Sequence, residues 1–198
     1  MKLADIRQKL GHGITLPLIR VLSRSGITPN ALTFLSLAVS LGAAYVVATG
    51  HFLVGGILVL VSGIFDLLDG ALARFTGQST KIGALLDSTF DRMSEAAVLF
   101  GLMVWYVRDP AGGSSLEIGL IFAVLVGSFL VSYIKARAEG LGWQCGVGLF
   151  TRSERVIVLA VALLVNQILI GLSVLTVFVF VTAAQRLVHV YKQSRTGG

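Results

Sequence analysis

Residues 52–107 read FLVGGILVLVSGIFDLLDGALARFTGQSTKIGALLDSTFDRMSEAAVLFGLMVWYV. Two apolar runs stand out in this stretch, Phe52–Phe75 and Ile82–Val107. Each exceeds the roughly 20 mostly apolar residues that a helix needs to cross a bilayer. Each also carries two aspartates, Asp66 and Asp69 in the first run and Asp87 and Asp91 in the second. A charged side chain in a spanning helix costs on the order of 2.5–3.5 kcal/mol, so such residues are rare unless they serve a function. Asp66 and Asp69 are three residues apart and Asp87 and Asp91 four, so each pair lies on one face of its own helix. The polar connection Gly77–Thr80 is short enough to make the two helices antiparallel neighbours. With a rise of about 1.5 Å per residue, Asp69 and Asp87 reach similar depth, and Asp66 and Asp91 lie one turn deeper. The stretch therefore predicts a helical hairpin in the membrane with four carboxylates converging on one small volume.

The rest of the chain fits that setting. Of 198 residues, 55% are hydrophobic and 13% charged, and the mean hydropathy is +0.87; ordinary soluble domains carry about 25% charge. Apolar runs recur at Ala31–Thr49, Leu116–Ala138, Arg155–Ile170 and Gly171–Tyr191, which with the hairpin makes six spans. The expected fold is an all-α integral membrane protein with six transmembrane helices and both termini cytoplasmic. Residues 1–30 form a separate juxtamembrane segment in this reading, and 31–198 the membrane domain. Within the first segment Leu3, Ile6, Leu10 and Ile14 recur at helical spacing, which predicts an amphipathic helix lying on the membrane surface.

Charge counted by side agrees with six spans. Sixteen Lys+Arg against ten Asp+Glu give a formal +6. With the N-terminus inside, fifteen of the sixteen basic residues fall on the inner side and only Arg108 falls outside, the asymmetry that the positive-inside rule requires. The basic residues lie between apolar runs and not on a polar domain, so they mark topology and not a nucleic-acid footprint. A single cysteine, Cys145, excludes an intramolecular disulfide and Cys-based zinc sites, and His12, His51 and His189 are too scattered for a metal motif. Ser36, Ser40 and Ala44 follow one face of the first span, a stripe of small residues suited to helix packing.

Four carboxylates so close repel one another unless protonated or joined by a cation. All-oxygen ligation suits Mg²⁺, Mn²⁺ or Ca²⁺ rather than zinc or copper. Arg74, eight residues beyond Asp66, lies near the inner interface, so the cluster faces the cytoplasmic side. Gly70 and Ala73 share a face with the first pair, and Gly83 leaves similar room on the facing helix. A structural ion site and a proton or cation pathway are alternatives. A transporter, however, needs a path to the outer face, and Phe52–Ile64 and Ala96–Val107 are almost wholly apolar.

Taken together, Asp66-Leu-Leu-Asp69-Gly70-Ala-Leu-Ala73-Arg74, then Gly83, Asp87 and Asp91, resemble the signature D-x2-D-G-x2-A-R-x8-G-x3-D-x3-D of the CDP-alcohol phosphotransferase family, with every defining position matched. Thr28-Pro29-Asn30-Ala31-Leu32-Thr33 resembles the family's segment before the first span. The resemblance implies displacement of CMP from a CDP-linked lipid, CDP-diacylglycerol, by the hydroxyl of an alcohol. It implies metal ligation by Asp66, Asp69, Asp87 and Asp91, with Mg²⁺ or Mn²⁺ as a pair of divalent ions, and Asp91 as the general base. It places Pro29, Asn30, Thr33, Asp66, Asp69, Gly70, Ala73, Arg74 and Gly83 around the CDP-lipid, and it implies a homodimer in the cell membrane. The chemistry suits the residue types, because divalent ions screen a pyrophosphate and stabilise the departing CMP.

The acceptor is read from residues outside the motif. Lys135, Arg137, Arg152, Arg155 and Arg186 bring positive charge to the inner ends of the last three spans, as a water-soluble phosphorylated alcohol requires. Ser132, Lys135-Ala-Arg137-Ala-Glu139 and Arg152-Ser-Glu154-Arg155 are similar to the prokaryotic phosphatidylinositol-phosphate synthase branch of the family. That similarity implies inositol 1-phosphate as acceptor, held by Ser132, Lys135, Arg155 and Arg186. Glycerol 3-phosphate, giving phosphatidylglycerol phosphate, is the alternative acceptor for such a pocket.

Overall fold

Thr28 and Pro29 set the start of the first long helix. The Thr28 hydroxyl accepts from the Ala31 N–H at 3.3 Å, and proline occupies the first helical position, where its missing N–H costs nothing. A computed structural model describes residues 18–108 and 115–196. Beyond a helical stretch at 18–24, six helices follow: α1 (Pro29–Ala48), α2 (Phe52–Thr76), α3 (Lys81–Arg108), α4 (Ser115–Gly140), α5 (Arg152–Leu164) and α6 (Ile168–Thr196). The amphipathic helix expected from Leu3, Ile6, Leu10 and Ile14 lies outside the described residues.

The α2–α3 hairpin forms as its sequence predicts. Gly77 closes α2 with φ 68°, a left-handed cap for which glycine carries no steric penalty. Thr80 then accepts from the Gly83 N–H at 3.0 Å and opens α3. At α5 the boundaries differ from the expected Arg155–Ile170 and Gly171–Tyr191. A capping box between Thr151 and Glu154 starts the helix at Arg152. The break between α5 and α6 comes at 165–167, where Asn166 takes φ 54°, a conformation asparagine tolerates better than most residues. Gly171 is instead inside α6, and a Cβ there would lie 2.3 Å from the Ala162 Cβ. Its glycine serves close packing of α6 on α5, not a chain break.

Among the described helices, α1, α2, α4 and α6 are long and apolar enough to cross a membrane. The α5 helix has 13 residues, about 20 Å at helical rise, against a hydrocarbon core of about 30 Å. The α3 helix has the length, but charge fills its first half.

The first helix packs on both α2 and α3, α2 packs on α5 and α4 on α6, and contacts of α3 with α4 and of α5 with α6 complete the bundle. Val59, Leu99, Leu102, Val124, Leu163 and Leu172 are among the buried residues of its main apolar core. The small-residue stripe on α1 is consumed inside the chain. Ser40 Oγ meets Ser62 Oγ at 2.6 Å, and Ser36 Oγ donates to the Ser62 carbonyl at 3.0 Å. The next residue of the stripe, Ala44, touches α3 through its carbonyl, which lies 2.3 Å from where a Cβ on Gly101 would stand. Because that obstacle is backbone, Gly101→Ala is expected to destabilise the fold by about 1–3 kcal/mol. Thermal unfolding of the detergent-solubilised protein checks it, and an unchanged midpoint would show that α1 and α3 can separate freely.

Candidate active site

The hairpin brings three of the four motif aspartates together. Asp66, Asp69 and Asp87 each offer one carboxylate oxygen, and these oxygens lie within 4.8 Å of one another. Asp69 is 3% exposed, and its Oδ2 is buried with no hydrogen-bond partner among the described residues. A buried anionic oxygen in that state is unfavourable unless a cation meets it. The donor set is all oxygen, so the residues present fit a hard divalent ion.

Asp91 adjoins this group at Asp66. One turn beyond Asp87, its Oδ1 lies 2.5 Å from Arg152 Nη1, and its Oδ2 is 3.7 Å from Arg92 Nη2. The same Arg152 nitrogen pairs with Asp66. Arg152, expected at the acceptor phosphate, thus also ties the metal-ligand group to Asp91. Its Nε is buried and makes no hydrogen bond among the described residues.

Two pockets flank this centre. Pro29, Asn30, Thr33, Asp69, Gly70, Ala73, Arg74 and Gly83 line the first, so every residue expected around the CDP-lipid except Asp66 faces it, together with Gln78, Ser79 and Thr80 from the turn. Its floor depends on glycine: a Cβ on Gly83 would lie 2.9 Å from Thr80 Oγ1 and 3.4 Å from Asn30 Oδ1. The second pocket is lined by Ser132, Lys135, Arg152, Arg155 and Arg186, joined by Arg92 and Ser88. Arg152, on the wall of this pocket and paired with Asp66 and Asp91, connects it to the aspartates.

One residue expected in the second pocket lies elsewhere. Arg137 lines a separate, mostly apolar groove with Ile134, Trp143, Leu187 and Tyr191. Two positions apart on one helix, Lys135 and Arg137 point about 200° apart around its axis, so they cannot both face one pocket. Arg186 is held in place by hydrogen bonds. Arg186 donates from Nε to the Val147 carbonyl at 2.9 Å and from Nη1 to the Val131 carbonyl at 2.5 Å, fixing the 146–148 loop against α4. Lys135 lies 3.8 Å from Glu139.

Two groups missed from sequence complete the polar network. Arg92 Nη1 donates to Ser132 Oγ at 2.8 Å. Glu95 receives Arg155 Nε at 2.7 Å and Nη2 at 2.9 Å, and Ser128 Oγ at 2.8 Å. The signal for Glu95 was present, since Asp87, Asp91 and Glu95 continue at four-residue spacing along one face of α3.

Comparison with known proteins points to one family. Residues 26–191 match the CDP-alcohol phosphatidyltransferase family. The chain is 36% identical to the archaetidylinositol phosphate synthase of Pyrococcus horikoshii, over 98% of this chain and 100% of that protein. It is 40% identical to the phosphatidylinositol phosphate synthase of Mycobacteroides abscessus, over 88% of this chain and 82% of that protein. Crystal structures of the Mycobacterium tuberculosis phosphatidylinositol phosphate synthase share the fold. The form with CDP-DAG bound has a TM-score of 0.78 at 35% identity, covering 90% of this chain and 94% of that one. The form in complex with manganese and citrate has a TM-score of 0.82 at 34% identity, covering 90% and 89%.

Proposed function

The chain belongs to the CDP-alcohol phosphatidyltransferase family, and from that premise we propose that it transfers the phosphatidyl group of CDP-diacylglycerol to a hydroxyl of inositol 1-phosphate, giving phosphatidylinositol phosphate and CMP. The observation that carries a phosphorylated acceptor is the basic pocket beside the aspartates, with Arg152 common to both. Relatives named for inositol phosphate lipids support the same choice.

In this reading the first pocket holds the CDP headgroup. Asn30, Thr33 and Arg74 offer polar groups to the cytidine and pyrophosphate, and Gly70 and Gly83 keep the approach to the backbone open. Asp66, Asp69 and Asp87, with Asp91 at the edge of the group, hold Mg²⁺ or Mn²⁺, taken as two ions. Bound there, the metal supplies positive charge that screens the pyrophosphate and favours departure of CMP. Ser132, Lys135, Arg155 and Arg186 hold the acceptor's phosphate. Asp91 takes the proton of the attacking hydroxyl as its oxygen bonds to the lipid phosphorus and the bond from that phosphorus to the CMP oxygen breaks. Arg152 keeps the Asp91 carboxylate turned toward the junction of the two pockets.

The membrane setting is part of the proposal. Six spans with both termini and the site on the cytoplasmic side of the cell membrane follow from the fifteen-to-one distribution of basic residues. The short α5 makes its crossing together with the 165–167 connection. Residues 1–30 form the interfacial segment and 31–198 the catalytic domain, active as a homodimer. Ser36 and Ser40 are used within the chain, so their stripe does not supply the dimer face.

The test is CMP release by purified protein with CDP-diacylglycerol and Mg²⁺, comparing inositol 1-phosphate, glycerol 3-phosphate, free inositol and serine. Release with inositol 1-phosphate is expected, at least about 100-fold above the unphosphorylated acceptors, whose lack of a phosphate leaves the buried basic groups unpaired. Preference for glycerol 3-phosphate would keep the reaction and change the acceptor. Preference for free inositol would overturn the role of the basic pocket.

A further inference from the structure

We propose that Glu95 is a positioning residue that aims the Arg155 guanidinium at the acceptor's phosphate, an assignment that rests on the basic pocket being the acceptor site. Both partners are almost fully enclosed: the Arg155 side chain is 2% exposed and that of Glu95 7%. Glu95 occupies one edge of the guanidinium, taking Nε at 2.7 Å and Nη2 at 2.9 Å. Such two-pronged pairing fixes the plane of the group as well as its place. Ser128 from α4 donates to the Oε1 that receives Nε, so the carboxylate is itself held from a third helix.

What remains of Arg155 is the second Nη2 hydrogen and the whole of Nη1, and Nη1 is buried with no hydrogen-bond partner among the described residues. Arg155 lines the same pocket as Ser132, Lys135 and Arg186. A pair serving only to staple α3 to α5 gives no reason for an unspent buried N–H on a residue that lines the cationic pocket, because such a group is unfavourable until an acceptor meets it. A phosphate oxygen is that acceptor. Glu95 also offsets the charge of Arg155 among Arg92, Arg152, Lys135 and Arg186, which allows the guanidinium to stay in place while the pocket is empty.

The experiment uses the full chain in detergent. Glu95→Gln is expected to raise KM for the phosphorylated acceptor about tenfold, with KM for CDP-diacylglycerol unchanged, because one charge-assisted fork becomes a weaker neutral contact. In an Arg155→Gln background the same substitution is expected to add nothing, the mark of two residues acting as one unit. Inorganic phosphate titrated calorimetrically reads binding without catalysis, and Glu95→Gln should bind it about tenfold more weakly than the unaltered protein.

A staple gives a different pattern: both KM values move together or stay fixed, the two substitutions add, and phosphate binding is unaltered. That pattern would overturn the proposal. If Glu95→Gln fails to fold, Ser128→Ala removes one hydrogen bond to the carboxylate and leaves the ion pair. It should raise the acceptor KM two- to threefold while sparing that for the donor, and no change would count against the assignment. Should the unaltered protein use only unphosphorylated acceptors, the acceptor reading fails. The phosphate titration then still decides Glu95: weaker binding in the variant keeps its role in aiming Arg155 at an anion, and equal binding removes it.

Discussion

Replacing Asp91 with Asn is expected to lower the rate of CMP release about 10²–10⁴-fold, the usual contribution of a positioned general base, while the protein keeps its fold. The side chain is 12% exposed and pairs with Arg152 at 2.5 Å, so it is fixed but still reachable. Asparagine has nearly the same shape and retains an oxygen for the arginine, but it has no carboxylate to receive a proton. The expected signature is therefore a loss in kcat with little change in KM for the CDP-lipid and a nearly unchanged melting temperature. Full activity in the variant would remove Asp91 from the role assigned to it, and a collapsed melting temperature would make its contact with Arg152 structural.

Asp69→Asn is expected to have an effect of similar size by another route. Asp69 is the most enclosed of the three clustered carboxylates, and its unpartnered Oδ2 is the oxygen that most needs a cation. Removing its charge should weaken Mn²⁺ binding, followed by electron paramagnetic resonance, by more than the 10–100-fold typical of losing an outer partner of a metal ligand. Stability should change in the opposite sense when no metal is added. Neutralising one of three crowded carboxylates relieves repulsion, so the metal-free variant should melt no lower than the parent. The rise in melting temperature that Mg²⁺ gives the parent should be lost, because that rise is ligand binding to the folded state. Unchanged Mn²⁺ affinity in Asp69→Asn would show that the cluster is not the metal site.

The hairpin and the pocket expected to take the CDP-lipid were legible because their determinants are local. Fixed spacing on two helices joined by a short turn sets which side chains meet, and the residues expected around the CDP-lipid lie together in one pocket, with Asp66 beside it in the metal-ligand group. The basic pocket was legible only in part, because it is assembled from α3, α4, α5 and α6. Positive charge near the inner interface singled out Lys135, Arg152, Arg155 and Arg186, which share this pocket, and Arg137, which lines a separate groove; charge alone carries no helical phase. Glu95 lay past the end of the motif in a run read as apolar, and its partner sits 60 residues away on another helix. The sequence puts a break before Gly171, whereas the structure has it at 165–167. Gly171 packs helices together, while Asn166 turns the chain.

The most direct test of the account is the identity of the lipid formed. Purified protein given CDP-diacylglycerol, Mg²⁺ and isotope-labelled inositol 1-phosphate should yield one CMP per molecule of a lipid that mass spectrometry shows to carry the label, the inositol ring and both phosphates. CMP release without a labelled lipid, or a labelled lipid lacking the acceptor's phosphate, would contradict the proposed transfer.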